Sequence, residues 1–223
     1  MMSIADLEKS LQRARLRLET AILALAPKHR GGEVEEFHAA QELVLKYERE
    51  LASARGEEYA IPLEFPFKWN GGAPLPFLLQ NDYKTFLTFF LREDDPNWDG
   101  TYVNVKDPGS EAVESLALVE FFGCCSAKLG SPNDEVLDGH PLAGKGMQGY
   151  SAQEVISSKW LAELEKINGV HLCYSPDDWS RSHHYIFWFH DSTFECIAES
   201  FKVETFRMNM KQLLEEVCQR LLG

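Results

Sequence analysis

The chain has 223 residues, 44% of them apolar and 26% charged, and a formal net charge of −13 at neutral pH. That length suffices to bury a core without staples, and so negative a field argues against non-specific binding to nucleic acid or to an anionic membrane, both of which need positive charge. The charge is unevenly spread: residues 1–55 hold nine Lys/Arg and nine Asp/Glu, whereas residues 56–223 hold thirteen and twenty-six.

In chain order, Ser3 followed three residues later by Asp6 predicts the N-cap of a first helix. Its apolar or small residues are Ile4, Leu7, Leu11, Ala14, Leu18, Ala21 and Leu25, the alternating three- and four-residue steps of a coiled-coil seam. Pro27 and the Gly31-Gly32 pair end it. A second helix is predicted from Glu33 to Arg55, with a seam of Phe37, Ala40, Val44, Tyr47, Leu51 and Ala54 and a stop at Gly56. Residues 1–56 therefore read as an antiparallel helical hairpin. Its two stripes must dock on the rest of the chain or pair with a second copy through residues 4–54.

Residues 57–223 read as an acidic, aromatic-rich domain. Pro62, Pro66, Pro74 and Pro76 forbid regular helix and central strands over residues 57–82. Phe65, Phe67, Trp69 and Phe77 need burial, so this segment is expected to wrap across the domain in extended form. Strands are predicted over Tyr83–Leu91, Thr101–Val105 and Ser115–Gly123, and a hairpin over residues 182–203 turns at Asp191-Ser192. In its first arm Tyr185, Phe187 and Phe189 share one face and Ile186, Trp188 and His190 the other, so this arm is predicted to be central. Ser151-Ala-Gln-Glu154 reads as a capping box that opens a helix carrying Val155, Trp160, Leu164 and Ile167. A last helix is predicted over Met208–Leu222. The expected class is α+β: an N-terminal antiparallel helical hairpin, then a mostly antiparallel sheet domain with two helices.

Three segments are candidates for chemistry. The loop Gly130–Gly149 contains Asn133, Asp134, Glu135, Asp138, His140 and Lys145, and its length without periodicity suggests either a ligand or partner site or a structural Ω-loop. The expected helix start at Ser151 would offer N–H groups to an anion, with Lys145 assisting. The hairpin His183–Glu199 holds His184 and His190 on one strand face, with Glu195 expected to meet His190 across the turn. His184, His190 and Glu195 form a set that suits zinc or iron; His190 with Glu195 also suits acid–base work, and packed, hydrogen-bonded histidines are the bland alternative. Asp95-Pro-Asn97-Trp-Asp99-Gly100-Thr101-Tyr102 matches the front of a calcium loop, but Lys106 stands where the twelfth-position carboxylate belongs. A turn held by side-chain-to-backbone bonds accounts for it as well. Cys124 or Cys125 at a strand end would need a histidine from elsewhere to act as a nucleophile.

Five cysteines without a C-x-x-C motif suggest neither a disulfide framework nor a zinc knuckle. Reduced cysteines and a start charged from Asp6 onward lead us to expect a cytoplasmic protein with no signal peptide and no membrane span.

The stretches GSPNDEVLDGHPLAGKG (residues 130–146) and FHDSTFECIAESF (residues 189–201) resemble signatures of bacterial proteins to which no activity is attached. The resemblance spans residues 115–205 and implies that loop and hairpin belong to one domain type. It implies no catalytic residue and no cofactor.

The leading functional expectation is a binding or interaction protein that recognises a small ligand or a basic protein partner through the acidic domain. The alternative is a hydrolytic enzyme, with or without a metal, whose site lies between the 130–149 loop and the 183–199 hairpin. In it His140, His190 and Glu195 would be acid–base groups or ligands, supported by Asp134 and Glu135. A homo-oligomer built through the helical pair is a third class. No motif specifies a cofactor.

Overall fold

A computed structural model describes residues 2–25, 32–93 and 106–223. Two compact units emerge: residues 1–61 with 138–147 and 155–159, and residues 62–137 with 148–154 and 160–223. The calcium-like stretch at residues 95–102 and the strand expected over 101–105 lie outside the described residues.

In the first unit, α1 (Ile4–Leu25) and α2 (Gly32–Ala54) form the predicted pair. Ser3 Oγ accepts the Asp6 N–H at 3.2 Å, which supplies one of the four amide partners a helix start lacks. Leu7, Leu11 and Ala14 pack against Val44 and Leu51. Arg55 meets Glu8 at 2.6 Å and Arg17 meets Glu36 at 2.7 Å, pairings that match the antiparallel sense. A helix of 3.6 residues per turn drifts from a heptad seam. Ala54, expected in the seam, is accordingly exposed, while Leu45, Glu48 and Ala52 form a second buried side of α2. Residues 138–147 brace that side: Gly146 N–H donates to Glu48 Oε2 at 3.2 Å, and Arg49 donates to the carbonyls of Ala60 and Gly146 at 2.9 and 3.1 Å. The short strand β1 (Tyr59–Pro62) follows α2.

The second unit is built on β2 (Phe77–Gln80), β3 (Thr85–Phe90), β4 (Glu114–Phe122), β5 (Ser126–Gly130), residues 152–154 of β6 (Ala152–Ile156), β7 (His183–Trp188), β8 (Thr193–Ala198) and β9 (Ser200–Met208). Its helices are α3 (Lys159–Asn168), the short α4 (Pro176–Trp179) and α5 (Met210–Leu222). The strands form two antiparallel sheets, in the orders β2-β3-β4-β9 and β6-β7-β8-β5. β7 is central, as its two apolar faces predict.

Between the sheets lies an aromatic core. One sheet contributes Leu87, Phe89, Val119 and Phe121, the other Tyr185, Phe187, Phe194 and Cys196, and the proline-rich segment inserts Phe65 and Trp69. Phe67 from the same segment is exposed. On the outer face of β3 and β4, Phe86, Phe90, Leu116 and Leu118 pack beneath Met210, Leu213 and Val217 of α5. Asn209 and Gln212 exchange the two hydrogen bonds of a capping box at the start of α5.

Two expectations are corrected. Ser151–Glu154 does not open a helix: Ala152, Gln153 and Glu154 pair with Phe187, Ile186 and Tyr185 as strand β6, and α3 begins only at Lys159. Here pairing to a fully buried strand outweighs a local capping pattern. Gln153 Oε1 accepts the Gln148 N–H at 3.0 Å, and Ser151 Oγ donates to the Gln148 carbonyl at 2.6 Å. The anion site expected at that helix start therefore has no helix behind it. Secondly, residues 193–203 are not one strand. The chain breaks at Glu199, whose N–H donates to the Phe122 carbonyl at 2.9 Å, and passes from β8 in one sheet to β9 in the other. No described helix is long and apolar enough to cross a membrane.

Candidate functional site

The 130–149 loop and the β7–β8 hairpin meet at Asp134 and His190. Their backbones join first, the Asp134 N–H donating to the His190 carbonyl at 3.0 Å. Thr193 Oγ1 pins the loop further by donating to the Pro132 carbonyl at 2.8 Å. The turn itself closes with the Phe189 N–H donating to the Ser192 carbonyl at 3.0 Å. His190 therefore sits just beyond the end of β7, on backbone tied to both the loop and the turn by hydrogen bonds.

Asp134 Oδ2 then accepts from two side chains. His190 Nδ1 lies 2.8 Å away, and the Tyr150 hydroxyl makes a short hydrogen bond to the same oxygen. The tyrosine and imidazole rings stack, 6.3 Å apart and 19° from parallel. With Nδ1 engaged, Nε2 faces Asp191, 3.9 Å from its Oδ1. Tyr150 is 45% exposed and has a φ of +54°. The left-handed region costs a non-glycine residue about 1–2 kcal/mol, and the hydroxyl bond to Asp134 helps hold it there. The second carboxylate oxygen, Asp134 Oδ1, is buried and accepts no hydrogen bond among the described residues.

The three groups tune one another. Hydrogen bonds from Tyr150 and then His190 hold the Asp134 carboxyl below its usual range. The bond to Asp134 raises His190, with Asp191 and Glu135 adding to it through space. Burial, then the bond and charge of Asp134, push the Tyr150 phenol up to about 12, so it remains a donor at neutral pH. A depressed carboxyl contributes stability above its unfolded pKa and loses it as pH falls through the folded value. A raised histidine contributes below its unfolded pKa and loses it as pH rises through the folded value. The pairing is thus fully formed between the ordinary values of 3.8 and 6.5. Asp134→Asn is expected to bring the His190 titration midpoint, followed by NMR of its imidazole, down towards the ordinary histidine value. An unchanged midpoint would show that Asp134 does not set it.

Glu195 occupies a different place. The hairpin register sets it opposite Ile186, which makes it the diagonal neighbour of His184 on the same face. Its Oε2 lies 2.9 Å from His184 Nε2 and its Oε1 2.9 Å from Lys128 Nζ. Trp160 stands edge-on to His184 at 5.1 Å, and Lys128 lies over the Trp160 ring at 4.4 Å. Burial, the largest influence on Glu195, pushes its carboxyl up. Its bonds to His184 and Lys128 together outweigh that and leave it lowered. The expected His190–Glu195 pairing is therefore replaced by two pairs, His190 with Asp134 and His184 with Glu195. Among the described residues no group of three or more His, Cys, Asp or Glu side chains is arranged to hold a metal ion.

The remaining loop residues divide between the units. Asn133, Asp134 and Glu135 belong to the second; Asp138, His140 and Lys145 belong to the first. In the second unit the Asn133 carbonyl accepts from Val136, and Glu135 is exposed. In the first, His140 Nδ1 accepts the Leu142 N–H at 3.2 Å, Lys145 pairs with Glu57 at 3.2 Å, and Asp138 is exposed in the 3-10 turns of Asp134–Gly139. Cys124 follows β4, where hydrogen bonding to Cys196 brings its thiol down to about 7 against the opposing effect of burial, with Thr85 and a backbone hydrogen bond of Ser126 adding to the lowering. Cys125 is pushed up by burial.

Sequence reasoning missed Tyr150. In Gly149-Tyr150-Ser151 it reads as the tail of a loop before a helix, and nothing in the residue pattern marks a backbone turned to positive φ. Comparison of the chain with protein-family models, with curated proteins and with solved structures gave no match.

Proposed function

We propose that this chain is a binding protein that presents the Asp134–Tyr150–His190 cluster to a basic partner. One observation carries this reading: a half-exposed tyrosine held in a left-handed backbone conformation, its hydroxyl tied to a carboxylate that a histidine also engages. Tyrosines anchor interfaces because they combine large contact area with few rotatable bonds. A side chain ordered before binding loses little entropy on association. Glu135 and Asp191 are exposed near His190, and carboxylates of this kind steer and select a cationic surface. The experiment is affinity capture with immobilised full-length protein, wild type beside Tyr150→Ala, at low and high salt. A basic protein retained by the wild type at low salt, and lost both at high salt and in the variant, is the expected result. Identical retention by the two baits would sink the proposal, as would retention of nothing at either salt.

A second reading rests on the Asp134–His190 contact of 2.8 Å. A carboxylate bonded to Nδ1 orients an imidazole so that Nε2 can take a proton from water during hydrolysis. Its test is ester or amide turnover by purified protein that disappears in His190→Ala; turnover unaffected by that substitution removes this reading.

A further inference from the structure

We propose that Cys124 and Cys196 form a peroxide-sensitive thiol pair that closes to a reversible disulfide inside the second unit. The Asp134–Tyr150–His190 cluster takes no part in it.

The path of the chain brings the two cysteines together. β4 ends at Phe122, and Gly123, with a φ of +60°, turns the chain out of one sheet towards β5 in the other. β8 ends at Ala198 and leads the opposite way, through Glu199 into β9. These two crossings run side by side. The Glu199 N–H donates to the Phe122 carbonyl at 2.9 Å, and the Cys125 N–H donates to the Ile197 carbonyl at 3.0 Å. A Cβ at Gly123 would lie 2.7 Å from Glu199 Cγ, so the chains approach closely here. Cys124 falls between those two hydrogen bonds, which set its backbone against the end of β8. Just beyond it, Ala127 of β5 stands opposite Cys196 of β8. Cys124 and Cys196 both pack into the aromatic core, and their thiols are hydrogen-bonded to each other. Cys124 Sγ also lies 3.4 Å from the Ser126 carbonyl oxygen.

The surroundings give the two sulfurs different roles. Cys124 is half-buried and Cys196 is buried, so a small peroxide from solvent reaches the first and not the second. The Cys196 thiol and the Thr85 hydroxyl donate to the Cys124 sulfur and favour its thiolate against the effect of burial. The thiolate is the nucleophile. Burial keeps Cys196 a thiol. Cys125 is exposed but is poorly placed to close a ring with Cys124. Neighbouring Cα atoms are about 3.8 Å apart, nearer than the roughly 4.4–6.8 Å of an ordinary disulfide.

The steps balance with hydrogen peroxide as the oxidant. The Cys124 thiolate attacks one peroxide oxygen, the O–O bond breaks, and hydroxide leaves and is protonated by solvent. Cys124 is then a sulfenic acid. The Cys196 thiol attacks its sulfur: the S–S bond forms, the S–O bond breaks, and the Cys196 proton leaves with the hydroxyl as water. Two thiols are oxidised to one disulfide, and one peroxide is reduced to two waters. An external dithiol reverses the closure by exchange. The bridge would fasten the β4–β5 crossing to β8 where the chain passes between the sheets.

The test treats full-length protein with hydrogen peroxide, blocks the remaining thiols by alkylation after denaturation, and maps the disulfides by mass spectrometry. A Cys124–Cys196 bridge is expected, lighter than the two thiols by two hydrogens and opened by dithiothreitol, with exposed Cys173 and Cys218 recovered as blocked thiols. Cys196→Ala should leave Cys124 as a sulfenic acid that dimedone captures, and Cys125→Ser should keep the bridge. Should Cys196→Ala fail to fold, the map of the wild-type protein and that of Cys125→Ser decide the matter. Recovery of Cys124 and Cys196 as blocked thiols overturns the inference, as does a bridge from Cys124 to Cys125 or one between two chains.

Discussion

Replacing Phe187 by alanine is expected to lower the unfolding free energy by about 3–5 kcal/mol. Phe187 is fully buried on β7, and its ring lies 5.5 Å from Phe65, 5.8 Å from Phe194, 5.9 Å from Phe121 and 6.0 Å from Trp69. These partners come from both sheets and from the proline-rich segment, so truncation removes contacts from every wall of the core at once. The backbones carrying Phe121 and Phe194 are held by sheet hydrogen bonding, which limits collapse into the gap and places the cost towards the upper end of the range. Phe187→Leu, which keeps most of the volume, should cost less than half as much. Urea unfolding followed by tryptophan fluorescence measures this, because Trp69, Trp160, Trp179 and Trp188 all belong to the second unit and the first contains no tryptophan. A loss below about 0.5 kcal/mol, the range of ordinary surface changes, would mean that the inter-sheet aromatic cluster does not hold this unit together.

That core was legible because its signals are periodic. Alternating aromatic residues in 185–189 announce a strand buried on both faces, and the heptad steps of residues 4–54 announce two packed helices. The Ser151–Glu154 stretch was misread for the opposite reason. A capping box is a local pattern, and nothing within four residues records that a central strand lies alongside to be paired. The division at Glu199 is hidden in the same way: β-formers flank it on both sides, Thr193, Phe194 and Ile197 before it and Phe201 and Val203 after it, and the change of sheet depends on Phe122, far away in sequence, offering its carbonyl.

The candidate site shows where reading by proximity fails. His190 and Glu195 are five residues apart and invite pairing, yet the tight turn at Asp191-Ser192 fixes a register that carries Glu195 to His184. The partner of His190 lies 56 residues away, at Asp134. Loop and hairpin were both identified as polar segments in an apolar neighbourhood, so the location was readable and the pairing was not. The loop itself also has two uses. Its first part supplies Asp134 to the polar cluster, and its Gly144-Lys145-Gly146 part belongs with the helices.

Gly146→Ala is the substitution that tests this second use, with an expected loss of about 2–5 kcal/mol from backbone strain and overpacking together. Gly146 has a φ of +79°, and a Cβ there would lie 2.7 Å from the Ala60 carbonyl oxygen and press on Arg49 Cγ. Neither neighbour can retreat cheaply. The Ala60 oxygen accepts from Arg49 Nε at 2.9 Å, Arg49 Nη2 holds the Gly146 carbonyl at 3.1 Å, and the Gly146 N–H serves buried Glu48. Displacement would leave the Glu48 carboxylate with one partner fewer on the buried side of α2. Gly144→Ala supplies the control. Its φ of +69° brings the same backbone cost of about 1–2 kcal/mol, but the added methyl would meet Arg15 Nη2 at 3.5 Å and Glu48 Oε1 at 4.0 Å, both ordinary contacts. Thermal unfolding followed by far-UV circular dichroism, which weights the two long helices, should therefore shift much further for Gly146→Ala than for Gly144→Ala. Equal shifts would mean that the cost is local strain alone and that residues 138–147 do not brace the helical pair.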